Sequence, residues 1–214
     1  MTDQLHHPSR RQFFALSGAA AGAIALAACG GDDDKSSSST SAPTDDGTPT
    51  TSDDAAADVS IATFAAGLEL LASQTYAKAL DAAKSGALGT VPPAVATFAT
   101  TAQAQHQAAS DALAKAAGGI APKVPTDVQA TVDQGFAGVK DVTGLAQLAL
   151  DLELKAAATY LDVIPKLSSK AAIDLAGSIL PITRQHAAVL LFVLGQYPVP
   201  ETFASPEDSL APKS

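Results

Sequence analysis

ELLASQTYAKAL, residues 69–80, and ELKAAATYLDVI, residues 153–164, carry one pattern: a glutamate followed seven residues later by a tyrosine. Seven residues are two helical turns, so Glu69 shares a helix face with Tyr76, and Glu153 with Tyr160. Each face is otherwise small or apolar, with Ala72 and Leu80 in the first segment and Ala156 and Ile164 in the second. Burying a carboxylate without a partner is costly. Two glutamates at one helical phase on two apolar faces therefore call for partners. His106 and His186 lie 37 and 33 residues after them, in QAQHQAASDAL and TRQHAAVLLFVL. The chain thus reads as a glutamate–tyrosine helix followed by a histidine helix, repeated once.

Working outward, four long segments show helical periodicity, and their spacing predicts a four-helix bundle. The first covers residues 59–85, with Phe64, Leu68, Leu71 and Leu80 on one side, and stops at Gly86. The second enters through Val91-Pro92-Pro93 and runs to Ala117, where Gly118-Gly119 end it. Pro122 and Pro125 mark the loop between halves, and residues 127–139 form a short extra helix. The third long helix covers 141–167, weakened at Pro165; the fourth covers 169–194, with Pro181 expected to kink it. Residues 197–200, YPVP, should lie extended across the bundle with Phe203 as an anchor, ahead of a flexible tail, 204–214.

The front of the chain reads differently. Residues 9–14, SRRQFF, place a twin arginine before an apolar run that is too short to span a bilayer comfortably. The run ends in LAACG, which resembles a lipobox with Cys29 as the acylated residue, and the arginine pair looks like a Tat export signal of bacteria. Residues 1–29 are therefore expected to be a signal peptide, taking His6 and His7 with them. The expected destination is the outer face of the cell membrane, held by a lipid on Cys29. Residues 30–58 are rich in Ser, Thr, Asp, Pro and Gly, and read as a disordered acidic linker. Eight aspartates against Lys35 give it most of the formal charge of −9, whereas residues 59–214 hold ten Lys/Arg and thirteen Asp/Glu. That balance argues against a nucleic-acid partner.

With Glu69, Glu153, His106 and His186 in these positions, the chain resembles the ferritin-like superfamily, and more narrowly the exported ferritin-like-domain proteins of bacteria, over residues 59–203. The resemblance implies an all-α, up-down four-helix bundle of two hairpins with an extended C-terminal tail. It also implies a di-iron or di-manganese centre, in which two helices each give a glutamate and the other two each give Glu-x-x-His. Glu69 and Glu153 match the terminal carboxylates, His106 and His186 the imidazoles, and Tyr76 and Tyr160 the aromatics beside such a centre. The glutamates of Glu-x-x-His would fall at 103 and 183, where this chain has Gln103 and Thr183. Neither is anionic, so two adjacent divalent ions would lack their bridging ligands.

Two outcomes stay open on the sequence. One iron, manganese or zinc ion could sit among Glu69, His106, Glu153 and His186. Alternatively the metal is gone, and Glu69 pairs with His106 and Glu153 with His186, with Gln103 and Thr183 beside them. The sequence leans to the metal-free outcome: a membrane-anchored envelope lipoprotein with a binding or structural role rather than an enzyme. The runner-up is an active metalloprotein with oxidase, peroxide-handling or iron-binding activity. A homodimer is compatible with either. Cys29 is the only cysteine, so the bundle has no disulfide and no thiol nucleophile, and no haem, phosphate-loop, dinucleotide or HExxH motif is present.

Overall fold

The computed structural model describes residues 51–212. The proposed signal, Cys29 and the linker up to residue 50 lie outside the described residues. Five α-helices follow in order: α1 (Ser52–Lys84), α2 (Pro93–Ala116), α3 (Thr126–Ala137), α4 (Val142–Val163) and α5 (Lys170–Val193). A 3-10 turn at Ile164–Lys166 ends α4 where Pro165 was expected to weaken it. Among the described residues there is no strand. The four long helices form two hairpins, α1 with α2 and α4 with α5, and α3 lies in the crossover between them.

The first helix begins seven residues earlier than its periodicity suggested. Thr51 caps it through a reciprocal pair of bonds. Its Oγ1 accepts from Asp54 N at 3.2 Å, and Asp54 Oδ2 accepts from Thr51 N at 3.1 Å. Asp53 and Asp54 in the first turn suit the positive end of the helix dipole, and the alanines 55–57 are strong helix formers. Residues 52–58 are therefore helix rather than linker: acidic composition concealed a capping box. Asp58 is part of the fold, buried and accepting from the backbone N–H groups of Ser168 and Ser169 at 2.9 Å each. Burial alone would raise its carboxyl, but these hydrogen bonds bring it below the usual aspartate range. It fastens α1 to the turn between α4 and α5.

The C-terminal tail also departs from expectation. Phe203 is 87% exposed and anchors nothing. The attachment comes later, at residues read as flexible. Ser209 Oγ donates to Asp162 Oδ2 at 2.8 Å, and Leu210 N donates to Thr159 Oγ1 at 2.9 Å. The tail is held by long-range hydrogen bonds to α4, which hydropathy does not reveal.

Glycine decides two close features. Gly86 and Gly89 turn the chain between α1 and α2 with φ of 78° and 71°, a region that costs other residues dearly. Gly67 lets the crossover press against α1, since a Cβ there would stand 2.1 Å from the carbonyl oxygen of Lys123.

The interior holds two apolar clusters. One gathers Ala62, Ala66, Leu113, Tyr160 and Ile179; the other gathers Tyr76, Ala102, Leu150, Ala187 and Leu190. Glutamate and histidine fall between these clusters along every long helix, which places a polar layer at mid-bundle.

Candidate metal centre

All four ionisable residues read from the sequence converge in that layer. Glu69 and Glu153 are 2% and 3% exposed, and His106 and His186 are 3% and 5%. Each comes from a different long helix, α1, α4, α2 and α5 in turn, because each stands at the inward phase of its own amphipathic face.

His106 is the hub. Its Nδ1 meets Glu69 Oε2 at 2.6 Å, and its Nε2 meets Glu153 Oε1 at 3.0 Å. Ionised carboxylates only accept, so both ring nitrogens donate and the ring is an imidazolium. Burial would lower its pKa, but the charge of Glu153 and hydrogen bonds to both glutamates raise it from 6.5 to about 10. Burial would likewise raise Glu153, but the His106 charge beside it holds that carboxyl at about 2. One histidine thus serves both glutamates, where the sequence had suggested one histidine for each.

The tyrosines cross between hairpins. Tyr76 on α1 donates to Glu153 Oε1 at 2.8 Å, and Tyr160 on α4 donates to Glu69 Oε1 at 2.7 Å. Burial and the adjacent carboxylate hold both phenols well above their usual pKa of 10, so both remain donors. Tyr76 also stacks on His106, with ring centroids 5.6 Å apart.

His186 is held differently. Its Nε2 donates to Gln105 Oε1 at 2.7 Å. Its Nδ1 lies 3.3 Å from Glu153 Oε1 without forming a hydrogen bond. Glu153 Oε2 is likewise buried with no partner. Gln105 was missed by the sequence reading, which placed Gln103 beside the centre and paired His186 only with Glu153. Gln103 is half-buried and has no hydrogen bond to the centre, whereas Gln105 shares a face with Ala109 and Ala112, four and seven residues on. That spacing was the available signal. Thr183 is 1% exposed, as a residue next to the centre should be, but its hydroxyl is spent on the Ile179 carbonyl at 3.2 Å.

His106, Glu153 and His186 form a buried group whose donor atoms all lie within 4.8 Å of one another and which could hold a metal ion. Glu69 stands outside that group, behind His106 Nδ1. A dinuclear centre does not fit: neither Gln103 nor Thr183 brings a carboxylate to the layer. A single ion fits the donor chemistry.

The ferritin-like domain family matches residues 57–196. The chain belongs to that family. No curated protein and no solved structure matches it.

Proposed function

We propose that this protein is a mononuclear metalloprotein of the bacterial cell envelope, with His106, Glu153 and His186 as its metal ligands. The observation that carries this reading is the way the two histidines are held. Each has one nitrogen fixed by an outer partner, Glu69 for His106 Nδ1 and Gln105 for His186 Nε2. Each turns its other nitrogen to Glu153 Oε1, at 3.0 and 3.3 Å. Metal-bound histidines characteristically have their second nitrogen fixed by a carboxylate or an amide or carbonyl oxygen. The unpartnered Glu153 Oε2 and His186 Nδ1 are the atoms that an ion would satisfy.

Two imidazoles and a carboxylate suit iron, manganese or zinc, and such an ion would supply a Lewis acid with open positions or, for iron and manganese, redox chemistry. The protein's own contribution is to orient both rings and exclude bulk water. Glu69 and Glu153 together bring two negative charges, which one divalent ion beside neutral imidazoles would balance. Two ions would not be balanced.

A second reading, metal-free and structural, draws on a specific observation too: protonated His106 already bridges both carboxylates. Elemental analysis of protein exported from its native host separates the two. Close to one equivalent of iron, manganese or zinc, lost in His186→Ala, supports the metalloprotein; metal below a tenth of an equivalent, with none taken up on dialysis against each ion, supports the structural centre.

The envelope location draws on SRRQFF and on LAACG around Cys29. Membrane fractionation tests it. Cys29→Ala should release the protein from the membrane, and Arg10→Lys with Arg11→Lys should retain it in the cytoplasm.

A further inference from the structure

Helices α2 and α5 face each other across a cleft that is open to solvent and runs inward to the polar layer. Its α2 wall carries Ala108, Ala109 and Ala112, whose small side chains leave a space of about 290 Å³. Exposed Gln105 and Ser178 line its outer part, and buried Glu69, His106, Thr183 and His186 its inner end. Two other cavities touch His106. One, beside Tyr76, holds about 70 Å³, and the other, beside Tyr160, about 20 Å³.

Water sets the scale for these spaces. One water takes about 30 Å³ of the liquid, so a divalent ion with six waters needs roughly 200 Å³. Of the three spaces, the α2–α5 cleft alone has that room. Its chemistry agrees with its size. The hydroxyls of Ser178 and Thr183 donate to the carbonyls of Leu175 and Ile179, at 2.7 and 3.2 Å, and toward a ligand they can only accept. The waters of a cation donate. No lysine or arginine is among the described residues that line the cleft. At its inner end, His106 is one cation between two carboxylates. An anion would find little to hold it there.

His186 joins the cleft to the centre. Its Nε2 donates to Gln105 Oε1 at 2.7 Å on the exposed side, while its Nδ1 stands 3.3 Å from Glu153 Oε1 inside. A surface amide thus sets the position of a buried ring.

We propose that the cleft between α2 and α5 is the entrance through which a hydrated divalent cation reaches the polar layer, with Gln105 as the positioning residue that holds His186 at its inner end. The cargo rests on the metalloprotein reading above, whereas the opening itself can be probed without metal.

The experiment has two readouts on the chelated full chain. The first is the rate at which diethyl pyrocarbonate modifies His186, followed by peptide mass. The second is the rate and affinity of zinc uptake from a chromophoric chelator. Ala109→Phe, which narrows the cleft, should slow both rates at least tenfold and leave the final zinc stoichiometry unchanged. Ser178→Phe, at an exposed position of the opposite wall, makes the same test should Ala109→Phe fail to fold. Ala96→Leu, in the cavity beside Tyr76, should change neither rate. Gln105→Leu should speed modification of His186 at least threefold and weaken zinc about tenfold. Gln105→Glu, which keeps an acceptor, should stay within threefold of the unmodified chain in both. Unchanged rates in a folded cleft variant, or slowing by Ala96→Leu instead, would overturn the entrance. A Gln105→Leu protein that matches the unmodified chain would overturn the positioning role. Modification of His186 that is slowed by the cleft variants, with no zinc uptake by the unmodified chain, would support the opening and overturn its cargo together with the metalloprotein reading. The two failures are therefore distinct.

Discussion

Tyr160 stands seven residues after Glu153 on one helix, yet its hydroxyl serves Glu69 on the opposite hairpin, 2.7 Å away. Tyr76 repays the arrangement to Glu153 at 2.8 Å. Each hairpin therefore supplies the donor that makes the other's buried carboxylate tolerable. Tyr160→Phe removes that donor and strands Glu69 Oε1, which should cost about 2 kcal/mol in urea denaturation. Adding Tyr76→Phe should give a total different from the sum of the single changes, because both belong to one network.

The histidines are unequal despite their matched positions. His106→Leu leaves two buried carboxylates without their shared cation and should destabilise the chelated protein by about 3–5 kcal/mol. His186→Leu loses one bond to the exposed Gln105 and should cost about 1 kcal/mol. Equal losses in denaturant titration would contradict the central place of His106.

The centre also sets a pH profile in the absence of metal. His106 has its pKa raised to about 10, so its contribution is complete below 6.5 and fades as pH rises toward 10. Glu153 has its pKa lowered to about 2, so its contribution is complete above 4.5 and fades as pH falls toward 2. Both are complete between pH 4.5 and 6.5, where thermal stability should be greatest. Scanning calorimetry across pH should show the decline on both sides, and His106→Gln should flatten the alkaline side.

Restoring the missing carboxylates tests the ancestry. Thr183→Glu places a charge at a position 1% exposed and should lower the melting temperature without metal. Combined with Gln103→Glu, it should raise uptake of manganese or iron from one equivalent to two in equilibrium dialysis, with recovery of stability. Failure to bind a second ion would argue that the backbone no longer supports a dinuclear site.

How much of this was legible beforehand follows from where each signal resides. The bundle, its helix order and the convergence of Glu69, His106, Glu153 and His186 were readable, because helical phase fixes which side chains face inward. The exchange of tyrosines between hairpins was not, since phase places a side chain on a face without naming its partner across the interior. Gln105 was overlooked for a related reason: it lies at the edge of its helix face, and only the closeness of α5 makes it part of the centre. Asp58 was mistaken for a linker charge, because composition cannot tell a solvated aspartate from one that caps a distant turn. The anchoring of Ser209 and Leu210 rests on two hydrogen bonds with no periodic signature.

The clasp of Asp58 on Ser168 and Ser169, together with the docking of Ser209 and Leu210 on the last turns of α4, brings both ends of the domain to one pole. The turn at Gly86 and Gly89 lies at the other, roughly 50 Å away along the 33 residues of α1. Geometry therefore does not fix which hairpin comes first. A chain joined end to end and reopened in the crossover at Gly118 and Gly119 would put the α4–α5 hairpin first and keep every bond of the polar layer, so the order of the two halves is not something the bundle requires.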